Sequence, residues 1–491
     1  MYRSRLAFAL AMAALAAILV PSTLPAQITF QRSYGGTIND YGRSVEQTSD
    51  GGYIITGCTE SFGAGHEDVY LIKTDAYGDT SWTRTFGGDS NDLGLAVQQT
   101  ADSGYIIAGY TTSFGAGSDD VYLIKTDAAG DTLWTRTFGG NGRDHGYSVQ
   151  QTTDGDYIVA GTTESFGAGS GDVWLIKTDP QGTPRWTRTF GGADYDWGYS
   201  ATQTPDGGYI IVGATESFGG EHPNYYLIRT DTNGDTVWTR TFGPATEDYG
   251  ACVQPTDDDG FIVAGTTDSL GAGEYDVYLI KTDANGDTLW TRIYAAEGEN
   301  DAFSVQQTTA GGYVIAGQTW TPDSSYVDVL LMKTDANGDT LWTKTFGGTD
   351  WDEGYSVQQT TDGGYVVAGQ TRSFGAGGDD VYLIKTDSLG ALAVAESKAS
   401  PTRVPGLSLT CEPNPFRKMT AISLQLTADS PAALAIFDAS GRCVRTFTVN
   451  RAPCTVWDGK DELGQPLPSG AYFARLDAAG QHASTRIVLQ R

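Results

Sequence analysis

Most of the chain consists of near-copies of one segment, and this repetition limits what the chain can fold into. A Lys/Arg-Thr-Asp triplet recurs every 52 residues, beginning at Lys73, Lys125, Lys177, Arg229, Lys281, Lys333 and Lys385. Six tryptophans keep the same step, at Trp82, Trp134, Trp186, Trp238, Trp290 and Trp342. A fixed period of about this size indicates a repeat architecture in which each copy is one supersecondary unit.

Each copy has the pattern of four short strands. In residues 147–190 the segments YSVQQT, YIVAGTT, DVWLIKTD and TPRWTRTF are separated by turn-forming residues. Other copies carry Asp-Gly-Gly and Asn-Gly turns, which suit two-residue hairpins. The second and third strands are apolar on both faces, so neighbouring units must cover both faces. Four antiparallel strands covered in this way are typical of a propeller blade.

The tight turn between the third and fourth strands fixes how strands group into blades. Strands joined by such a turn must be hydrogen-bonded neighbours, so the Trp strand belongs with the strand before it. The last copy then lacks a fourth strand, whereas residues 28–34 form a fourth strand without a blade. We therefore predict an all-β fold in which residues 27–387 form a seven-bladed β-propeller of 52-residue repeats, closed by an N-terminal latch strand. The alternative, an open solenoid, would leave two sheet edges exposed.

The hairpin between the third and fourth strands resembles the docking motif of quinoprotein-type propellers. In that family an Asp, a Gly turn and a later Trp lock adjacent blades, and Asp283, Gly286 and Trp290 match them with one residue less between Asp and Gly. The resemblance implies the propeller fold and no quinone. Because these residues recur in nearly every copy, we interpret them as scaffold. The Arg that follows each Trp is expected to meet an Asp of the hairpin or of the next blade.

Differences between the copies concentrate in the second-to-third loops and in the blade connectors, which the topology places on one face. Loops over a rigid scaffold commonly carry binding residues. Aromatic rings beside carboxylates on this face predict a binding site for carbohydrate or another extracellular polymer. The candidate ligand-binding residues are Tyr195, Trp197, His222, Tyr225, Trp320, Tyr326 and Trp351. The alternative is that each ring only packs against neighbouring loops.

An Asp opens nearly every first strand, and bracing of the turn is its expected role. A ring of carboxylates can also bind cations, so Asp196, Asp350 and Asp352 are weak candidate ligands for Ca²⁺, the one cofactor considered. We assign no catalytic residue, because the four histidines are scattered and no nucleophile elbow or phosphate-binding loop is present. A glycosidase pair among the many carboxylates stays an open alternative.

The N-terminus and the composition indicate export. Residues 1–26 place two arginines before an apolar run and small residues, which is the layout of a secretory signal peptide. No transmembrane segment is expected after its cleavage. The net charge of −29 argues against nucleic acid as a partner. Export permits disulfides, and Cys443 and Cys454 are close enough in sequence to close a hairpin.

The repeat stops after Asp387. Residues 388–406 have the composition of a linker, and residues 407–491 that of a small β-sandwich. Its Asn414-Pro415-Phe416, Trp457-Asp458-Gly459 and Ser469-Gly470-Ala471-Tyr472 motifs resemble the FlgD-type Ig-like domain and the type A sorting domain of type IX secretion. The resemblance implies that the outer-membrane export machinery is a partner of residues 407–491. An accessory sandwich that only spaces or stabilises is the alternative.

Three functions fit these patterns. We favour a secreted or cell-surface binding protein that recognises an extracellular polymer through its variable face. The alternatives are a secreted polysaccharide-active hydrolase and a purely structural, adhesin-like scaffold. A deep pocket with two converging, non-repeated carboxylates would favour the hydrolase, and a flat aromatic strip would favour binding.

Overall fold

The protein is all-β throughout the part of the chain that the structure describes. The computed structural model describes residues 27–220, 222–243, 247–268, 275–295, 298–320, 326–392, 408–412, 418–425, 432–438, 443–449, 454–468, 470–478 and 481–489. These residues form strands, turns and loops, and none of them is helical. Among them there is accordingly no helix of the length and apolarity that crossing a membrane requires. The chain divides into two compact units, Met1–Ala393 and Val394–Arg491.

Seven four-stranded antiparallel sheets make up the described part of the first unit. Sheets 1 to 6 each use four consecutive strands, and sheet 7 joins the first strand of the chain to the last three strands of the unit. The strands are β1 (Phe30–Tyr34); in sheet 1, β2 (Asp40–Gln47), β3 (Tyr53–Thr59), β4 (Asp68–Thr74) and β5 (Thr80–Phe86); in sheet 2, β6 (Asp92–Gln99), β7 (Tyr105–Thr111), β8 (Asp120–Thr126) and β9 (Thr132–Phe138); in sheet 3, β10 (Asp144–Gln151), β11 (Tyr157–Thr163), β12 (Asp172–Thr178) and β13 (Pro184–Phe190); in sheet 4, β14 (Asp196–Gln203), β15 (Tyr209–Thr215), β16 (Asn224–Thr230) and β17 (Thr236–Phe242); in sheet 5, β18 (Asp248–Pro255), β19 (Phe261–Thr267), β20 (Asp276–Thr282) and β21 (Thr288–Tyr294); in sheet 6, β22 (Asn300–Gln307), β23 (Tyr313–Trp320), β24 (Val327–Thr334) and β25 (Thr340–Phe346); and, in sheet 7 with β1, β26 (Asp352–Gln359), β27 (Tyr365–Thr371) and β28 (Asp380–Thr386).

The grouping of strands follows the turn chemistry. The Trp strand of sheet 1, β5, pairs with β4, which precedes it across the tight turn, and the other sheets repeat this order. The strand left over at the N-terminus, β1, pairs antiparallel with β28, with Phe30 opposite Lys385 and Tyr34 opposite Val381. Both results confirm the predicted pairings. The second and third strands are buried almost throughout, as in β3 and β4, because their apolar side chains cover both faces.

Neighbouring sheets interlock through the tryptophans. The turn glycine Gly130, with φ of +78°, lies directly on the Trp82 ring of the preceding sheet, where an added Cβ would come within 2.7 Å of ring carbons. The same ring makes an edge contact with Tyr105, with centroids 5.9 Å apart. The guanidinium of Arg84 lies 5.3 Å from the Trp82 centroid and 3.1 Å from Asp131 in the next sheet. The expected Arg–Asp contact between neighbouring repeats is therefore confirmed.

The second unit contains two small sheets in its described part. Their strands are β29 (Ser408–Glu412), β30 (Thr420–Gln425) and β33 (Cys454–Trp457) in one sheet, and β31 (Ala432–Asp438), β32 (Cys443–Val449), β34 (Gly470–Ala478) and β35 (Gln481–Leu489) in the other. Trp457 and Tyr472 are buried in its core with ring centroids 5.1 Å apart. A two-sheet arrangement of this kind fits the predicted sandwich.

Cys443 and Cys454 do not belong to one hairpin, and the disulfide between them stays a prediction. Cys443 begins β32 and Cys454 begins β33, and these two strands belong to different sheets instead of pairing with each other. Cys443 is exposed and its thiol is free. Short sequence separation thus did not place the two cysteines in one hairpin, because their strands belong to different sheets.

Candidate functional site

Each first strand of the seven sheets carries one extra residue. In β2 the pairing with β3 shifts register between Gly42 and Ser44, and the other six first strands shift at the equivalent place. Such a β-bulge leaves the extra residue outside the ladder and re-aims its side chain. The bulged residues are Arg43, Leu95, Tyr147, Tyr199, Ala251, Phe303 and Tyr355.

The bulged side chains meet one another across neighbouring sheets. Tyr147 and Tyr199 make an edge contact with centroids 5.4 Å apart. Phe303 and Tyr355 lie 5.2 Å apart, and the Arg43 guanidinium stacks 4.2 Å from the Tyr355 centroid. First strands of adjacent sheets also contact each other along their length. The bulges therefore gather aromatic side chains and one cation from sheets that are far apart in sequence.

Five of the bulged side chains line an open cavity of about 390 Å³, which we call the bulge pocket. Its wall comprises Arg43, Leu93, Leu95, Tyr110, His145, Tyr147, Tyr199 and Tyr355. Leu93 and His145 lie near the start of their first strands, and Tyr110 near the end of a second strand. The pocket is therefore at the end of the strands that carries the connectors and the second-to-third loops. This volume is at the small end of the range of about 300–1,000 Å³ for ligand pockets.

A hydrogen-bonded chain orients one wall of the bulge pocket. The Asp119 carboxylate lies 2.9 Å from His145 Nε2, and His145 Nδ1 lies 3.0 Å from the Tyr147 hydroxyl. We assign the ring proton to Nε2, which donates to the carboxylate, and Nδ1 then accepts the Tyr147 O–H. Burial raises the pKa of Tyr147 to about 12, which keeps this hydroxyl protonated. Tyr110 stacks on the imidazole at 4.2 Å and holds the ring in place.

The opposite wall carries the positive charge. Burial raises the pKa of Glu353, whose carboxylate accepts a hydrogen bond from the Tyr355 hydroxyl. Arg43 stacks on the same Tyr355 ring, and its Nε is buried without a hydrogen-bond partner among the described residues. Asp119 and Glu353 are not among the residues of the described wall, which presents leucine side chains, aromatic rings, one imidazole and one guanidinium.

Four of the seven predicted ligand-binding residues form two aromatic pairs outside the bulge pocket. Tyr195 and Trp197 stack with centroids 5.5 Å apart and an interplanar angle of 12°. Tyr326 and Trp351 lie 6.2 Å apart, and each is 37% exposed. Both pairs are on the side of the connectors and the second-to-third loops. Two small aromatic surfaces therefore exist where the sequence predicts them.

The other predicted residues have different surroundings. Tyr225 is completely buried in β16, and its hydroxyl donates to the Tyr278 carbonyl at 3.3 Å, so its prediction as a loop residue that contacts ligand is wrong. Tyr225 occupies the core position that Val173 fills in the preceding copy. Trp320 is half-buried at the end of β23 against Gly298, and His222 is exposed.

The candidate Ca²⁺ ligands act as turn braces. Asp196 Oδ2 accepts the Gly192 N–H at 2.8 Å and the Ser217 hydroxyl at 2.7 Å, and Asp352 has the equivalent partners. Asp350 Oδ1 accepts the Trp351 N–H at 2.9 Å. Within the described ranges no three His, Cys, Asp or Glu side chains are grouped so that they could hold a metal ion. Calcium binding stays a prediction.

Sequence reasoning missed the bulge pocket, although a signal was present. The bulged position varies widely between copies, with Arg43, Tyr147 and Ala251 among its occupants. The residues on either side are nearly constant, Gly before and Ser after it in most copies. Variation between two nearly constant positions of a strand, instead of in a loop, was the sign of a side chain released from packing.

Comparison with known proteins identifies a domain within the second unit. Residues 414–481 match the model of the FlgD Ig-like domain, so this end of the chain carries such a domain. The chain is also 26% identical over 228 residues to the regulatory protein FlaEY of Caulobacter vibrioides. That alignment covers 39% of this chain and 24% of FlaEY, so the chain spans about a quarter of the length of this curated relative.

Solved structures show a loose likeness to the chain. PorZ, an essential surface component of the type-IX secretion system of Porphyromonas gingivalis, aligns with a TM-score of 0.41 at 12% identity, over 93% of this chain and 60% of PorZ. Sqt1 from Chaetomium thermophilum gives 0.42 at 12% identity, over 69% of this chain and 83% of Sqt1. A fungal alcohol oxidase of the AA5 family gives 0.42 at 11% identity, over 94% and 100%. Scores of this size assign no function.

Proposed function

We propose that the protein is an exported or cell-surface binding protein whose first unit is a closed seven-bladed propeller. Several contacts between sheet 7 and sheet 1 support closure. The Val45 N–H donates to the Ser356 hydroxyl at 3.2 Å, and the Thr361 N–H donates to Gln47 Oε1 at 2.8 Å. The same contacts link consecutive sheets elsewhere, as from Val97 to Ser44. Equivalent bonds at the junction of the two ends are what a ring of blades requires.

The bulge pocket carries the binding proposal. It combines a concave shape, aromatic faces and a few oriented polar groups, and such a combination is typical of small-ligand sites. The described wall has no carboxylate, whereas a glycosidase needs two that face the substrate. This arrangement favours binding over hydrolysis. Carbohydrate is the proposed ligand class, because pyranose rings present flat apolar faces and hydroxyl groups to such walls.

A glycan array tests this function. We would probe the chain from residue 27, with and without Ca²⁺, against Tyr199→Ala in the pocket and Trp351→Ala in an aromatic pair. Tyr77→Ala is the matched control, because Tyr77 is 53% exposed on the β4–β5 turn at the opposite end of the strands. Loss of glycan binding in Tyr199→Ala alone is the expected result. Loss only in Trp351→Ala would move the site to the loops, and no binding by the unmodified chain would refute carbohydrate recognition.

The C-terminal unit is proposed to direct export or surface attachment. The match to the FlgD Ig-like domain supports this role, together with the sorting-domain motifs in residues 407–491. In a bacterium with type IX secretion, deletion of residues 407–491 should leave the first unit inaccessible to protease added to intact cells. Surface exposure of the truncated chain equal to that of the full chain would contradict the proposal.

A further inference from the structure

Arg43 forms no close ion pair with a described carboxylate, although the charges of Glu353 and Glu67 act on it from further away. The salt bridges of the described residues do not include it, and its buried Nε has no acceptor. The chain has 60 Asp and Glu residues against 31 Lys and Arg, so acidic partners are abundant. Lys73 and Arg84, for example, each contact an Asp. A guanidinium held in a cavity without an anion costs free energy unless something bound there supplies the charge.

Aromatic rings position this cation within the bulge pocket. Tyr355 supports the guanidinium from one side at 4.2 Å, and the edge-to-face pair of Tyr147 and Tyr199 lines the cavity. The Glu353 carboxylate accepts the Tyr355 hydroxyl and interacts with Arg43 only through space, without a direct contact among the described residues. The guanidinium is therefore held by stacking and by its interaction with the Tyr355 hydroxyl, and its unpartnered Nε–H is available to an anion in the cavity.

We propose that the bulge pocket binds a sugar carboxylate, with the uronic acid carboxylate against Arg43 and the pyranose ring among Tyr147, Tyr199 and Tyr355. The inference rests on the proposed binding function and names its ligand class. A carboxylate is matched by the two parallel donors of one guanidinium. A phosphate carries more charge and commonly draws several cations or a row of backbone N–H groups. The described wall offers one Arg as its sole permanent cation.

The polar groups of the wall suit a hydroxylated ring. The Tyr147 hydroxyl is oriented by His145, and that imidazole is held in turn by Asp119, so the wall has a fixed hydrogen-bonding pattern. An aromatic carboxylate would fill the same cavity without using this pattern. The net charge of −29 repels a long polyanion, so we expect recognition of a single terminal or isolated uronate residue.

Calorimetric titration of the chain with three probes tests the proposal. Galacturonate should bind, whereas galactose and the neutral methyl ester of galacturonic acid should bind at least about tenfold more weakly. Arg43→Met should weaken galacturonate binding about 30-fold, and Arg43→Lys should weaken it less. The matched control is Arg84→Met, since Arg84 also stacks on an aromatic ring but lies on the outer strand β5. The comparison of ester and acid needs no variant and holds even if Arg43→Met does not fold.

The same titration includes 4-hydroxybenzoate as a carboxylate without a sugar ring. Four results would overturn the inference: equal binding of the three sugars, unchanged affinity in a folded Arg43→Met protein, binding of 4-hydroxybenzoate without galacturonate, or binding of no probe. These failures differ from failure of the proposed function. A neutral glycan that binds on the array and is lost in Tyr199→Ala would retain the binding function while refuting the uronate.

Discussion

Among the described residues, sheet 6 lacks an ion pair that the other six sheets possess, and restoring it should stabilise the protein. In sheets 1 to 5 and 7 a buried Lys or Arg at the end of the third strand contacts an Asp of the first turn, at 2.5–3.1 Å. In sheet 6 that turn has Ala310, and Lys333 Nζ donates only to the carbonyls of Gly311 and Thr334 within the described residues. Burial lowers the pKa of Lys333. The substitution Ala310→Asp would supply the missing carboxylate.

The expected gain follows from the equivalent pair in sheet 1. Partial burial raises the pKa of Asp50, but the Thr48 hydroxyl and the Lys73 ammonium outweigh it and bring this pKa to about 2. A shift of roughly two units corresponds to about 2.5 kcal/mol. Because the Asp50 side chain is 64% exposed, solvent screening reduces this to about 1 kcal/mol. For a unit of this size, that free energy corresponds to a rise in Tm of about 1–2 °C.

Differential scanning calorimetry of the full chain at pH 7 measures this gain. Because the carboxyl pKa is lowered on folding, the gain should be present above about pH 4 and disappear as the pH falls toward 2. Ala310→Asn is the control that keeps hydrogen bonding without charge, and Ala310→Asp in a Lys333→Met background removes the partner. An unchanged or lower Tm for Ala310→Asp, or an equal rise for Ala310→Asn, would refute the reasoning.

Three further outcomes follow from the geometry. Gly286→Ala should lower Tm more than Gly155→Ala. Both glycines have positive φ, but only an alanine at position 286 would place its Cβ within 2.8 Å of the Trp238 ring. Equal losses of Tm would show that the contact between this turn and Trp238 tolerates an added methyl group. Burial raises the pKa of Asp248 to about 6, so the free energy of unfolding of the unmodified chain should rise as the pH falls from 7 toward 4. In thermal scans at several pH values, Asp248→Asn should reduce this rise by at most about 3 kcal/mol. Arg84→Met should lower the free energy of unfolding by less than about 1 kcal/mol in chemical denaturation, because the ion pair of Arg84 with Asp131 is exposed. A larger loss would show that this pair contributes more than an exposed ion pair does.

Local chemistry explains which parts of the fold the sequence could predict. The turn residues around Gly130 determine that β8 and β9 are neighbours. When every Trp strand is grouped in this way with the strand before it, β28 is the one third strand without a fourth strand, and β1 is left to pair with it. The contact of Arg84 with the next sheet followed from repetition alone. These predictions needed only pairing rules within one repeat and the count of strands.

The site required information that no single strand carries. The bulge at Arg43 depends on how β2 pairs with β3, and its consequence depends on the opposing bulges of other sheets. Tyr225 was misplaced for a related reason, because its neighbours Pro223 and Asn224 read as loop although the register buries it opposite Ala214. Residue type indicated exposure in the sequence, whereas strand register decided it in the structure.

The pairing of β1 with β28 also sets an order on how the molecule can form. Sheets 1 to 6 draw on contiguous strands, so each can assemble once its own segment has been synthesised. Sheet 7 joins the beginning of the unit to its end, and the entropy lost in closing that loop grows with the intervening length. Contacts so distant in sequence are slow to form. Sheet 7 can therefore be completed only after synthesis has reached Thr386, the last residue of β28, however quickly the other six sheets fold.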